Sequence, residues 1–184
     1  MSRLRVTAVC AFVMATVVPS VLTAQLNGNT TLPIFFPSPF MPGTVPVAVT
    51  PTVAAAIFRE QKSVQAAATS GTLTSPITGV AIPAAIGQVV VLMMTQATEE
   101  VRKQIETALM QSGANPRVIS QLMTNMPSLL SNPVPGQLQN CLSAFNGVIN
   151  NANAAFLANP PAEFLGIHAV LLQISNAANA VPHP

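Results

Sequence analysis

After residue 52, apolar residues recur every three or four positions through most of the chain, the period of helices that bury one face. The run VAAAIFREQKSVQAAA carries Val53, Ile57 and Val64 among alanines and predicts a first helix that stops near Gly71. Residues 72–82, TLTSPITGVAI, break that period. Their threonines, valine and isoleucines around a proline and a glycine predict a short β-hairpin. Pro83 suits a first helical position, and PAAIGQVVVLMMTQ predicts a buried central helix.

Clearer start and stop signals follow. Thr98 is the expected N-cap of EEVRKQIETALMQ, with Glu99 and Glu100 in the first turn and Gly113 as the stop. Val101, Ile105, Ala108 and Leu109 share one face of it. Asn115-Pro116 opens the next helix, in which Val118, Ile119, Leu122, Met123 and Met126 are in phase. Pro127 interrupts it, and a last turn runs to Leu130. After Pro135-Gly136, a 3–4 repeat links Leu138, Cys141, Leu142, Phe145, Val148, Ile149 and Ala152. The final helix, from Ala162 to about Ala178, has Phe164, Leu165, Ile167, Val170, Leu171, Leu172 and Ile174 around most of its circumference. Such a helix belongs at the centre.

Short connections make neighbouring helices antiparallel. The expected fold is all-α: a compact five- or six-helix bundle with a short β-hairpin and a Pro-rich disordered N-terminal arm. Its expected core is Leu142, Phe145, Ile149, Phe164, Ile167, Leu171 and Leu172, closed by Val90, Leu92, Ile105, Leu109, Ile119 and Leu122.

The first residues follow a different pattern. Arg3 and Arg5 precede an uncharged apolar run over residues 6–22, broken by Pro19 and Ser20 before the small residues Thr23 and Ala24. That is the layout of a secretory signal peptide, with cleavage expected after Ala24. The domain reading is therefore 1–24 signal peptide, 25–52 Pro-rich extended arm, 53–180 helical domain and 181–184 disordered tail. Six prolines fall between Pro33 and Pro51, each removing a backbone donor. The arm also carries Leu32, Ile34, Phe35, Phe36, Phe40 and Met41. Two readings follow: a coil whose phenylalanines lie on the domain, or a polyproline-like adhesive arm. Residues 77–95 reach transmembrane-grade hydropathy, but Gly79, Pro83, Gly87 and Gln88 interrupt them. A buried helix is expected there, with a membrane-inserted protein as the alternative.

Composition removes several function classes. Arg3 and Arg5 are two of seven basic residues against five acidic ones, so the chain after the leader is neutral. No Lys/Arg stripe exists to neutralise phosphates, and no nucleic-acid partner is expected. Charged residues make up 7% of the chain, against roughly 25% in ordinary globular proteins. Gln, Asn, Ser and Thr must supply the solvated surface, and a neutral surface resists association weakly. Cys141 alone remains after the leader, so no internal disulfide can form.

Candidate chemistry is sparse. Cys141 and His168 are the one thiol–imidazole pair. Cys141 sits in an apolar phase, however, and no aspartate exists anywhere to orient the imidazole. The reading is a packed cysteine and a half-buried histidine with Ser175, two turns on, as its hydrogen-bond partner. Glu99 and Glu100 point about 100° apart on one helix and serve its dipole rather than paired-carboxylate catalysis. Two histidines and one cysteine cannot close a zinc site. Met93, Met94, Met110, Met123 and Met126 have the chemistry for monovalent copper, but a stripe at helical spacing is core filler. No catalytic, cofactor or metal residue is therefore assigned.

The leader, the Pro-rich arm, the Thr/Val segment and the run LQNCLSAFNGVINNANAAFLANPPAEFLGIHAVLLQISNAAN together resemble certain small exported helical proteins of cyanobacteria. The resemblance implies export and a helical fold, and it implies no activity. The expectation is an exported, non-enzymatic helical protein with a structural or interaction role in the periplasm or cell envelope. Its partner would be another protein or a second copy, met through Phe35, Phe36 and Phe40. A small apolar-ligand carrier, with its molecule between the helices, is the alternative from another class.

Overall fold

The computed structural model describes residues 51–134 and 136–181. The leader, the arm up to residue 50 and the last three residues lie outside them. Seven helices occur among the described residues: α1 Pro51–Ser70, α2 Ala84–Thr95, α3 Glu99–Met110, α4 Pro116–Asn125, α5 Gln137–Asn151, α6 Ala154–Ala158 and α7 Ala162–Asn179. The all-α architecture follows the apolar periodicity. The count exceeds the expected five or six because α6 has too few residues to show a period. It forms because Asn153 caps it, accepting from the Phe156 amide at 2.8 Å.

α7 packs against α1, α2 and α3, while α4 packs against α5. Ten residues of α7 are buried, from Phe164 to Ala178, as its nearly all-round apolar sequence requires. α1 begins on Pro51, whose missing N–H would have no helical partner there. It ends at Gly71, in the left-handed region at φ +70. α1 and α2 cross where Gly87 meets Ala68. A Cβ on Gly87 would stand 3.0 Å from the Ala68 Cα, so any larger residue would have to push the two helices slightly apart.

No strand occurs among the described residues. In place of the expected hairpin, one isolated antiparallel bridge joins Thr74 to Ala81. Ser75 N donates to the Val80 carbonyl at 2.9 Å, and Ile82 N donates to the Leu73 carbonyl at 2.7 Å. Pro76 has no amide to extend the ladder. The buried Ser75 Oγ instead accepts from the Ile77 and Thr78 amides, both at 3.3 Å, and the segment closes as a turn.

α2 spans 12 residues, and no helix among the described residues is long and apolar enough to cross a membrane. Pro83 stands one position earlier than expected, as the N-cap residue, with its carbonyl accepting from Ile86 and Gly87. Thr98 is the N-cap of α3, but its side chain makes no capping bond. Asn115 does cap α4, accepting from Arg117 N at 2.9 Å.

Two expected core residues are displaced. Leu92 is 42% exposed and Leu172 is half-buried, while Ile105, Leu109, Ile119, Leu122, Leu142, Phe145, Phe164, Ile167 and Leu171 are fully buried. The core also takes in Ile57, Val64 and Leu73, together with Met93, Met94 and Met126.

Candidate functional site

The sequence singled out Cys141 and His168, and both lie beside the same aromatic ring. Cys141 is one turn before Phe145 on α5, and the His168 ring of α7 stacks on Phe145 with centroids 5.9 Å apart. Phe145 also stacks on Phe164 at 5.0 Å, and Phe156 meets Phe164 edge-on at 5.0 Å. An aromatic cluster from α5, α6 and α7 therefore occupies the place where a thiol–imidazole pair would have to work.

Burial disarms both groups. Cys141 is fully buried, and desolvation pushes its thiol up to about 12, far from the thiolate a nucleophile needs. His168 is 2% exposed, and burial holds its imidazole down to about 4, so it is neutral at ordinary pH. This corrects the half-buried histidine expected from sequence. Its Nδ1 has no hydrogen-bond partner among the described residues, so neither Ser175 nor Cys141 pairs with it. A general base needs a proton to take within hydrogen-bond reach.

Four of the five methionines singled out by the sequence also leave the surface. Met93, Met94, Met123 and Met126 are buried in the core, and Met110 is exposed alone. Among the described residues no three His, Cys, Asp or Glu side chains come together as a metal site.

Accessible concavity lies elsewhere, in grooves between helices. One, of about 410 Å³, runs between α1 and α2. Gln61, Gln65, Gln88 and Gln96 stand along it over a floor of Ala68, Val91 and Leu92. Its hydroxyls are turned to main chain: Thr69 Oγ1 donates to the Gln65 carbonyl at 2.7 Å and Thr95 Oγ1 to the Val91 carbonyl at 3.0 Å. Ser131 Oγ donates to the Thr95 carbonyl at 3.0 Å. The glutamine amides are left as the groove's donors.

A second groove, of about 380 Å³, lies between α4 and α5 at Gln121, Asn125, Asn140 and Ser143. A third, of about 400 Å³, brings Glu163 of α7 to Glu100 and Lys103 of α3. Gln104 Nε2 donates to Glu163 Oε1 there at 3.3 Å. Sequence spacing could not have found this meeting, since the two helices are distant in the chain. None of these grooves is lined by Cys141, His168 or a methionine. Two of the three present neutral amides and hydroxyls. Family models, curated proteins and solved structures give no match to this chain.

Proposed function

We propose that this chain is exported and works without catalysis, as a structural or interaction protein of the periplasm or cell envelope. The leader-like pattern of residues 1–24 supports export, with processing after Ala24. The observation that carries the non-catalytic reading is the state of Cys141 and His168. Cys141 and His168 are both enclosed in the core, with the thiol held protonated and the imidazole held neutral. Association runs through the arm, where Phe35, Phe36 and Phe40 concentrate apolar surface on a stretch without charge.

Deleting residues 25–50 tests the association. The helical circular dichroism signal should remain nearly intact, because the deletion removes none of the seven helices found among the described residues. Recovery of partners or assemblies from the exporting cell should disappear. Equal recovery with and without the arm would remove this reading. A hydrolase substrate screen tests the non-catalytic part, which fails if turnover appears and is abolished by Cys141→Ala or His168→Ala.

A further inference from the structure

We propose that α4 and α5 form a hinged flap, closed by a ring contact on α7, and that a proton taken up by His168 opens it.

The two ends of the flap are pinned together. Asn153 N and Nδ2 both donate to the Ser112 carbonyl, at 2.8 and 2.7 Å, so residues 113–152 leave and rejoin the domain at one point. Gly113, at φ +69, turns the chain there in the left-handed region that favours glycine. Between the pinned ends, α4 and α5 make one stiff piece. They pack along each other, and a Cβ on Gly147 would stand only 2.7 Å from the Val118 Cγ1. Gln137 ties their connection, its Nε2 donating to the Asn125 and Pro127 carbonyls and its Oε1 accepting from Val134 N. The far end is latched to the last turn of α2. Leu130 N donates to the Met94 carbonyl at 2.9 Å, and Ser131 Oγ donates to the Thr95 carbonyl at 3.0 Å.

What holds the flap against α7 is a seam of side chains. The backbone of α7 packs closely on α1, α2 and α3, whereas α5 has its close backbone neighbour in α4. One ring bridges the seam. Phe145 stacks on Phe164 at 5.0 Å and on His168, one turn further along α7, at 5.9 Å.

His168 is 2% exposed, its Nδ1 has no hydrogen-bond partner, and no charged side chain is buried among the described residues to balance an imidazolium. On α1 the charged groups are Arg59, Glu60 and Lys62, and on α3 they are Glu99, Glu100, Arg102, Lys103 and Glu106; all are exposed or half-buried. Glu163 lies about 140° round α7 from His168 and accepts from Gln104. α2, α5 and α6 carry no charged side chain, and α4 carries only the exposed Arg117. The Cys141 thiol, pushed up to about 12, stays neutral. Burial likewise holds the imidazole down to about 4, and its ordinary value returns once water reaches the ring. The neutral ring therefore favours the closed flap and the charged ring the open one, as pH falls from 6.5 toward 4. Side chains alone stand between His168 and α5, so the flap gives way there and pivots at the Ser112–Asn153 pin. Opening presents the apolar stripe of α5, Phe145 included, to solvent.

Amide hydrogen exchange of the full chain at pH 7 and pH 4.5, followed through several low urea concentrations, tests this. α4 and α5 should share one protection factor, lower and less urea-dependent than those of α1 and α2, which open only with the whole domain. The shared factor should fall about fiftyfold from pH 7 to pH 4.5, the shift that the two imidazole values imply. In His168→Leu it should fall less than about threefold. His168→Phe, which keeps a ring against Phe145, replaces that variant if leucine loosens the packing at pH 7. Ser131→Ala removes one latch bond and leaves His168 and the core untouched. It should lower the protection of α4 and α5 by roughly two- to tenfold at both pH values, with α1 and α2 unchanged.

The proposal is overturned if α4 and α5 match α1 and α2 in protection and urea dependence at pH 4.5, which would be acid unfolding of the whole domain. Separate values for α4 and α5 overturn it as well, since the flap would not be one piece. So does a fall in protection that survives replacement of His168, or a latch variant that weakens all four helices equally.

Discussion

His168 sits among apolar residues with an unpaired Nδ1, and this governs how the fold responds to acid. Its ordinary value of 6.5 applies in the unfolded chain, whereas burial lowers it to about 4 in the folded one. The unfolded chain therefore binds the proton first. Its contribution to stability is complete above pH 6.5 and is lost as pH falls from there toward 4, amounting to about 3 kcal/mol across the window. Urea unfolding at pH 7 and pH 4.5 should show this loss in the native chain and much less of it in His168→Leu; equal losses in both would place the acid sensitivity elsewhere. Cys141 gives a second expectation. In the folded protein its thiol should react with a disulfide reagent only through global unfolding, at least a hundredfold slower than in denaturant. Rapid labelling of the native chain would contradict the packing of α5. The burial of Cys141 was legible from its apolar phase. The depth of His168 was not, because it depends on Phe145 arriving from another helix.

Side chains that fix the connections were harder to read than the helices themselves. Gln137 is buried; its Nε2 donates to the Asn125 and Pro127 carbonyls at 2.9 and 2.6 Å, and its Oε1 accepts from Val134 N at 3.1 Å. It thereby satisfies main-chain groups that the end of α4 leaves open. Asn153 holds the Ser112 carbonyl at 2.7 Å while capping α6. In sequence both are ordinary polar residues, and only the meeting of distant segments gives them their task. The hairpin expected at 72–82 is limited to one antiparallel bridge for a nearer reason, since Pro76 has no amide to give and the Ser75 hydroxyl takes the amides of Ile77 and Thr78. Gly87 was read as an interruption of an apolar run, and it is instead the contact point of α1 and α2. Gly87→Ala gains about 1 kcal/mol in helix propensity. It also forces a methyl to within 3.0–3.1 Å of the Ala68 Cα, Cβ and carbonyl oxygen. Main-chain atoms cannot swing aside, and overpacking of this kind costs about 1–3 kcal/mol. A net loss of about 1 kcal/mol is expected, read as a lower denaturation midpoint; a stabilised variant would show that the two helices have room to part.

α7 packs against α1, α2 and α3 and carries apolar residues on nearly all sides, and this much was visible in the chain. Which residues of its partners face it was less visible, because periodicity defines a stripe and not the edge where the stripe meets solvent. Leu92 shows the difference. It follows Val91 in an unbroken apolar run, so sequence counted it as core, yet it lies 42% exposed on the α1–α2 groove. A truncation series separates the two arrangements. Phe145→Ala should cost about 3–5 kcal/mol and Leu171→Ala about 2–5 kcal/mol, as both are fully buried and leave cavities. Leu92→Ala should change stability by no more than about 0.5 kcal/mol, the range of exposed positions. Neighbouring residues of one short segment would then differ in their effect, with Val91 on the buried side and Leu92 on the open one. Equal destabilisation by Leu92→Ala and Leu171→Ala would mean that α2 is rotated from this placement and that the groove has no apolar floor.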